Sequence, residues 1–296
     1  MKYNLQMVEA LDAFKKPKQY WLNRIPPGTA CSVYPPTAAN MNRKRTDRRS
    51  DAMFSQVSFN FDRQLSGKVI VLCKGEDILL FSLLSAVFKT CLHLFTFEQE
   101  IVIGCPVFIR NRIHAGTKAG TESGVGFGDE TDEEDIYNRY LLLLSRLEGE
   151  MSFRELLLNE SQTVNEAIQH QYYPFENLIK PLKLDESRLY RTILLLENIH
   201  DPAMVEPLLP LNDLMIAFRR EGENVEATVR YRTDVYTAES IRLLADRFGQ
   251  VLAQALDHVD TKLKEFRFHE PETVRKRWET FNRTEQAYPK QATVHG

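Results

Sequence analysis

Apolar positions along this chain keep the helical period in some stretches and the strand period in others. Leu5, Val8, Leu11 and Phe14 recur at helical spacing, which predicts a short amphipathic helix over residues 2–15. A second turn or helix carries Gln19, Tyr20, Trp21 and Leu22. Residues 26–56 read as a loop, with Pro26-Pro27-Gly28, Pro35-Pro36 and a basic run from Arg43 to Arg49 that Asp47 and Asp51 dilute. Val57, Phe59 and Phe61 alternate with polar residues, the period of a half-buried strand. The most apolar stretch, Glu76 to Phe97, is free of Gly and Pro and predicts a core helix. Ile101 to Gly104 follows as a buried strand that ends at Pro106.

Residues 115–135 break the pattern with five glycines between Gly116 and Gly128, followed by an acidic run to Asp135. The stretch GTKAGTESGVGFG lacks the G-K-[ST] ending of a phosphate loop and leads into repelling carboxylates, so it reads as a surface loop. A strand is predicted over Tyr140–Leu144. A helix follows, opened by Ser152 with Glu155 as a capping box, and then a short helix opening at Pro174. Strands are expected at Thr192–Glu197, Leu214–Arg219 and Val225–Tyr231. A long helix from Ala238 to His258 carries Ile241, Leu244, Ala245, Phe248, Leu252 and Leu256 on one face. Strands and helices alternate without a fixed repeat, so the class is α/β with a mixed sheet and flanking helices. From Pro271 the pattern loosens into a charged connector.

Composition excludes several classes. The 296 residues carry 38 Lys and Arg against 41 Asp and Glu, with 43% apolar residues. That balance is wrong for general disorder and lacks the basic face a nucleic acid requires. No uncharged apolar stretch approaches the ~18 residues of a membrane span. The N-terminus MKYNLQMVEALDAFKK has no apolar core of a secretory signal. Cys31, Cys73, Cys91 and Cys105 form no C-x-x-C pair and read as buried reduced thiols. A cytoplasmic protein without nucleic-acid or membrane partners is the expectation.

Chemical signatures are sparse. None of His93, His114, His170, His200, His258, His269 and His295 has metal-ligand spacing to another, so no metal site is expected. No G-x-S-x-G occurs. His93, on the apolar helix, reads as a satisfied core residue. His170 opens a dense string, His170-Gln171-Tyr172-Tyr173-Pro174-Phe175-Glu176. From the residues alone this is a rigid corner: a helix end, aromatic anchors, and a new helix with Glu176 in its first turn.

The string resembles the His-(Asn/Gln)-Asp-Tyr-Pro-Phe-Glu motif of the condensation domains of nonribosomal peptide synthetases, with Tyr172 in place of Asp. Downstream, Asp185-Glu186-Ser187-Arg188-Leu189 is similar to the family's Arg-Asp-x-Ser-Arg-Asn-Pro-Leu, with Leu184 at the first Arg and Leu189-Tyr190 replacing Asn-Pro. Tyr20-Trp21-Leu22 resembles the segment opening the family's C-terminal half, and Leu79 to Arg112 its core helix and strand. Asn138 matches the Phe-Val-Asn motif, Tyr231-Arg232-Thr233-Asp234 the Tyr-Asn-Thr-Asp motif, and Phe281 to Pro289 the linker entering an adenylation domain.

The family's His-His-x-x-x-Asp-Gly motif is a departure: the sequence has no His-His pair and no Asp-Gly. The matches begin near Tyr20, where the family's second half begins. The resemblance therefore implies a chloramphenicol-acetyltransferase-like lobe, half of the two-lobe condensation fold. Residues 1–270 would form this partial condensation domain, with 1–25 a helical extension, and 271–296 a linker toward an adenylation domain.

In the family, amide formation occurs in a tunnel between the lobes, reached by phosphopantetheine arms from both sides. One lobe supplies at most one wall, so no catalytic residue is assigned. The motif residues His170, Gln171, Tyr173, Pro174, Phe175, Glu176, Asp185, Ser187, Arg188 and Asn138 are expected to be structural or tunnel-lining. The expected partners are an adenylation domain in cis and aminoacyl or peptidyl carrier proteins. The sequence has no Gly-x-x-Ser-Leu attachment site, so 4′-phosphopantetheine would be present only on those carriers. The leading reading is a platform inactive in condensation by itself, within antibiotic or secondary-metabolite synthesis. A split enzyme completed by a separate first lobe is the alternative, and would show a large exposed apolar face. A free-standing acyltransferase with His170 or His200 as base ranks last. Its His-x-x-x-Asp string fails at His93, His114, His170 and His200, whose fourth followers are Phe97, Lys118, Pro174 and Met204.

Overall fold

The structure, a computed structural model, describes residues 12–36, 53–109 and 138–269. The predicted helix before Asp12, the basic run, the Gly-rich and acidic stretch and the connector from Pro271 lie outside the described residues.

Helix α1 (Asp12–Arg24) runs unbroken through Pro17, so the second turn predicted at Gln19–Leu22 belongs to this same helix. Pro17 removes one backbone donor; packing compensates, because Trp21 and the following Ile25 are each 1% exposed. After a segment that crosses the lobe at residues 31–36 comes β1 (Phe54–Asn60), starting three residues before the predicted alternation. Helix α2 (Arg63–Leu72), which the pattern left unassigned, is opened by Asp62, whose carboxylate accepts from Leu65 N–H.

Helix α3 (Asp77–Thr96) is the predicted core helix, buried without interruption from Leu80 to Leu92. It is long and apolar enough to cross a membrane, yet 72% of its apolar window is buried inside the lobe. It ends at Phe97, in the left-handed region at φ 61°. His93 lies in its last turn rather than in the core; its Nδ1–H donates to the Glu98 carbonyl (2.6 Å). Strands β2 (Glu100–Pro106) and β3 (Tyr140–Arg146) follow, and then helix α4 (Phe153–His170) with both halves of the Ser152/Glu155 capping box formed. The short helices are α5 (Glu176–Ile179), which starts two residues after Pro174, and α6 (Glu186–Leu189), unpredicted. Strand β4 (Thr192–Leu196), a 3-10 helix (Pro202–Leu211), β5 (Leu214–Glu221), β6 (Asn224–Arg232) and α7 (Ala238–Asp257) complete the order.

The six strands form one sheet in the order β1-β6-β5-β4-β2-β3. β4 pairs parallel with both β2 and β5, while β1 with β6, β5 with β6 and β2 with β3 are antiparallel. Every residue of β4 is buried, as a central parallel strand covered on both faces must be. Helices α4, α3 and α7 contact one another in that order along one face, with α1 on the outer side of α4. At the other end of the sheet, Gln56, Ser58, Thr228 and Arg230 share the opposite face of β1 and β6, where Ser58 and Thr228 hydroxyls bond (3.1 Å). That face is polar apart from Phe54, whose ring lies under the Arg230 guanidinium (4.6 Å). The exposed large apolar residues among those described, such as Val71, Phe97, Leu158 and Leu243, are spread over α2, the end of α3, α4 and α7. All four cysteines are free and buried. The compact body ends at Phe266, which packs on Phe153 (ring centroids 5.8 Å apart).

Between α3, α4 and β3 lies an ion pair with no exposure on either side, Lys89–Glu160 (2.8 Å). Each carboxylate oxygen also receives a serine hydroxyl, Ser85 on Oε1 and Ser145 on Oε2, and Lys89 Nζ donates to Ser145 (2.8 Å). Two charges out of water are tolerable only with such full hydrogen bonding.

Candidate functional site

The string His170 to Glu176 is a packed corner. Where α4 ends, Gln171 turns inward (4% exposed) and bonds the backbone of Phe108 on both sides. Its Oε1 accepts from Phe108 N–H (2.8 Å) and its Nε2 donates to Phe108 O (3.3 Å). Buried Asn138 donates to the Gln171 carbonyl (3.1 Å) and accepts from Tyr140 N–H (3.3 Å). The residues of two separate motifs therefore meet, and together they tie the end of α4 to both strands β2 and β3. Tyr173 and Phe175 are buried, with Phe175 edge-on to Tyr140 (6.0 Å), and Pro174 is buried between them. Glu176 is exposed in the first turn of α5.

His170 faces α1. Tyr20 stacks on its ring (4.3 Å) and donates to Glu166 (3.3 Å), while Trp21 Nε1–H donates to the His170 carbonyl (2.9 Å). Arg24, one turn on, reaches Leu144 O (2.9 Å) and Thr163 Oγ1 (2.8 Å). The match at Tyr20–Leu22 is thus the seam by which α1 holds α4. Partial burial lowers the His170 pKa, and the nearby Glu166 charge only partly offsets this. The buried Nδ1 has no hydrogen-bond partner among the described residues.

The second motif is a capped turn. Asp185 accepts from Ser187 N–H (3.0 Å) and Ser187 Oγ–H (2.8 Å), opening α6, and all three of Asp185, Ser187 and Arg188 are exposed. Its backbone does the holding: Arg188 O accepts from Cys31 N–H (3.0 Å), and Leu189 O accepts from both Cys31 Sγ–H (2.7 Å) and Tyr140 Oη–H. Burial pushes the Cys31 thiol up to about 11, with the Tyr140 hydrogen bond the chief opposing influence. A thiol held so protonated is a packing and hydrogen-bonding group, not a nucleophile.

His200, the other candidate base, is fully buried against Phe81 and Phe108 (4.7 and 4.4 Å) with Nδ1 at the Leu196 backbone. Burial drives its pKa down to about 3, and its ring has no exposure to solvent. Gln171 and Asn138 therefore join the end of α4 to β2 and β3, and the α6 backbone joins Tyr140 and the 31–36 segment, while Glu176, Asp185, Ser187 and Arg188 stay on the surface. No proton-transfer pair is formed among the described members. Sequence reasoning missed Lys89–Glu160, whose one signal was a lysine inside an otherwise apolar helix. A groove of about 830 Å³ between β1, α2 and α7 is lined by none of the motif residues.

A mixed six-stranded sheet with flanking helices gives the chain a chloramphenicol-acetyltransferase-like α/β fold. Residues 4–276 match the family model described as Condensation domain, and the chain belongs to the condensation-domain family. Among curated relatives, gramicidin S synthase 2 of Aneurinibacillus migulanus is 27% identical over 305 residues, covering 96% of this chain and 6% of its own length. Surfactin synthase subunit 1 of Bacillus subtilis (strain 168) is 24% identical over 309 residues, covering 98% and 8%. The chain spans between 3 and 8% of the length of such relatives. Among solved structures, the X-domain from teicoplanin biosynthesis superposes with a TM-score of 0.64 at 17% identity, over 90% of this chain and 60% of that one. A four-domain nonribosomal peptide synthetase bound to AMP and glycine gives 0.63 at 15% identity, over 91% and 21%. These superpositions bear on the fold alone.

Proposed function

We propose that these 296 residues are the C-terminal lobe of a nonribosomal peptide synthetase condensation domain, and that by themselves they do not form amide bonds. The observation that carries this reading is the state of the motif residues. Gln171, Asn138, Tyr173, Pro174 and Phe175 are buried in the packing of the fold, Asp185 and Ser187 cap a surface turn, and the sequence contains no His-His-x-x-x-Asp-Gly. Attack of an amine on a thioester needs a positioned proton acceptor and stabilisation of the tetrahedral oxyanion. His170, stacked beneath Tyr20, and His200, sealed in the core, supply neither. The 56 to 60% coverage of individual condensation and X-domain chains supports a single lobe plus its edges.

In this role the lobe is one wall of a tunnel and a platform for an adenylation domain in cis and for carrier proteins. Any phosphopantetheine arm arrives on those carriers, in the cytoplasm. The test is a two-carrier assay with loaded aminoacyl donor and acceptor carriers. The expected result is dipeptide at the buffer rate with this chain alone. Dipeptide formed above that rate by the chain alone overturns the proposal. Activity gained only on adding a separate first lobe would favour the split-enzyme reading over the platform.

A further inference from the structure

We infer that β1 and α7 form a self-association surface through which two copies of this chain pair about a two-fold axis. The inference is independent of the proposed function. Strand β1 ends the sheet: among the described residues no strand lies on its outer side. A free edge is ordinarily blunted with charge, proline or a bulge. None of these is present in Phe54-Ser55-Gln56-Val57-Ser58-Phe59-Asn60, which is uncharged throughout and pairs with β6 in unbroken register. Val57 and Phe59 face the groove under α7, while Phe54, Gln56 and Ser58 stand on the opposite face, Phe54 beneath the Arg230 guanidinium (4.6 Å). An added strand must carry the same alternation, and a second β1 does. Antiparallel pairing about an axis perpendicular to the sheet keeps each side chain on its own face.

The helix above the edge is also shaped for a twin. Ala245, Gly249 and Ala253 line the groove four residues apart, and a Cβ placed on Gly249 would meet nothing within 4 Å. Small residues on an open face allow close helix approach. Arg242 and Asp246 stand one turn apart on that face, both exposed and of opposite charge. Any two-fold running between them sets Arg242 of one copy against Asp246 of the other, twice. This crosswise charge complementarity favours a second copy over a foreign strand.

The test is the solution mass of the full 296-residue chain, followed by light scattering and analytical ultracentrifugation from micromolar to submillimolar concentration. The expected species is a concentration-dependent dimer. Arg242→Asp places like charges against each other at both crossings and should weaken the dimer by at least about tenfold. The reversed pair Arg242→Asp/Asp246→Arg should restore it. Val57→Lys should also dissociate the dimer, with circular dichroism confirming its fold; should that variant misfold, the exposed charge series decides alone. A chain monomeric throughout the range overturns the inference. So does a dimer indifferent to Arg242→Asp, or one that the reversed pair fails to rescue.

Discussion

Gly104 has no side chain, and the ring of Tyr140, its diagonal neighbour on strand β3, occupies the space a Cβ would need. The ring cannot yield, because it is wedged among Tyr190 (4.8 Å), Phe175 (6.0 Å) and Cys31 and its hydroxyl serves Leu189. Gly104→Ala is therefore expected to cost ~1–3 kcal/mol in urea unfolding through overpacking. Gly67→Ala, in α2 with open space at its Cβ, should instead stabilise by roughly 0.5–1 kcal/mol. At Lys89 and Glu160 the sign depends on pairing. Removing either partner alone leaves a buried unpaired charge and should cost about 3–5 kcal/mol. Lys89→Met/Glu160→Leu together should lose much less than the sum, read as the coupling energy of a double-mutant cycle.

At the scale of elements, local chemistry marked many boundaries before any contact was considered. Ser152 and Glu155 announced α4, and the gap-free apolar run from Glu76 to Phe97 announced α3 almost to the residue. Pro17 obscured the continuity of α1, which rests on Trp21 and Ile25 meeting the rest of the lobe. Helix α2 was illegible because Val69-Ile70-Val71-Leu72 is rich in β-branched residues, and tertiary packing overrode that propensity. The motif residues could be named only by resemblance. That Asn138 bonds Gln171, 33 residues away, is a fact of packing that no local pattern contains. One terminus remains unoptimised: α3 closes with Phe97 in the left-handed region and 84% exposed. Phe97→Gly should raise stability by roughly 1 kcal/mol by relieving the Cβ crowding there, measured as a shift in denaturation midpoint.

For the whole molecule, the pH response follows from His200. Its folded pKa of about 3 lies below the ordinary 6.5, so the unfolded chain binds the proton more readily. Its contribution is complete above about pH 6.5 and is lost progressively as pH falls toward 3, a change on the order of 5 kcal/mol. His170, shifted in the same direction by burial, adds to this acid limb. His200→Gln should give a visibly shallower decline of unfolding free energy between about pH 6.5 and about pH 4, whatever its effect at neutral pH. Such acid sensitivity belongs to the lobe as a unit, since His200 sits under Phe81 of α3 and beside Phe108 beyond β2.

The Lys89–Glu160 pair has one more consequence, which precedes folding. During synthesis α3 leaves the ribosome as a helix-length apolar segment, and its lysine lacks a counter-ion until Glu160 is made 71 residues later. In that interval the bare ammonium near mid-segment opposes entry into a lipid bilayer, where a central lysine costs about 2.5–3.5 kcal/mol on insertion scales. The charge that later locks three elements together thus also raises the cost of placing this segment in lipid before Glu160 exists.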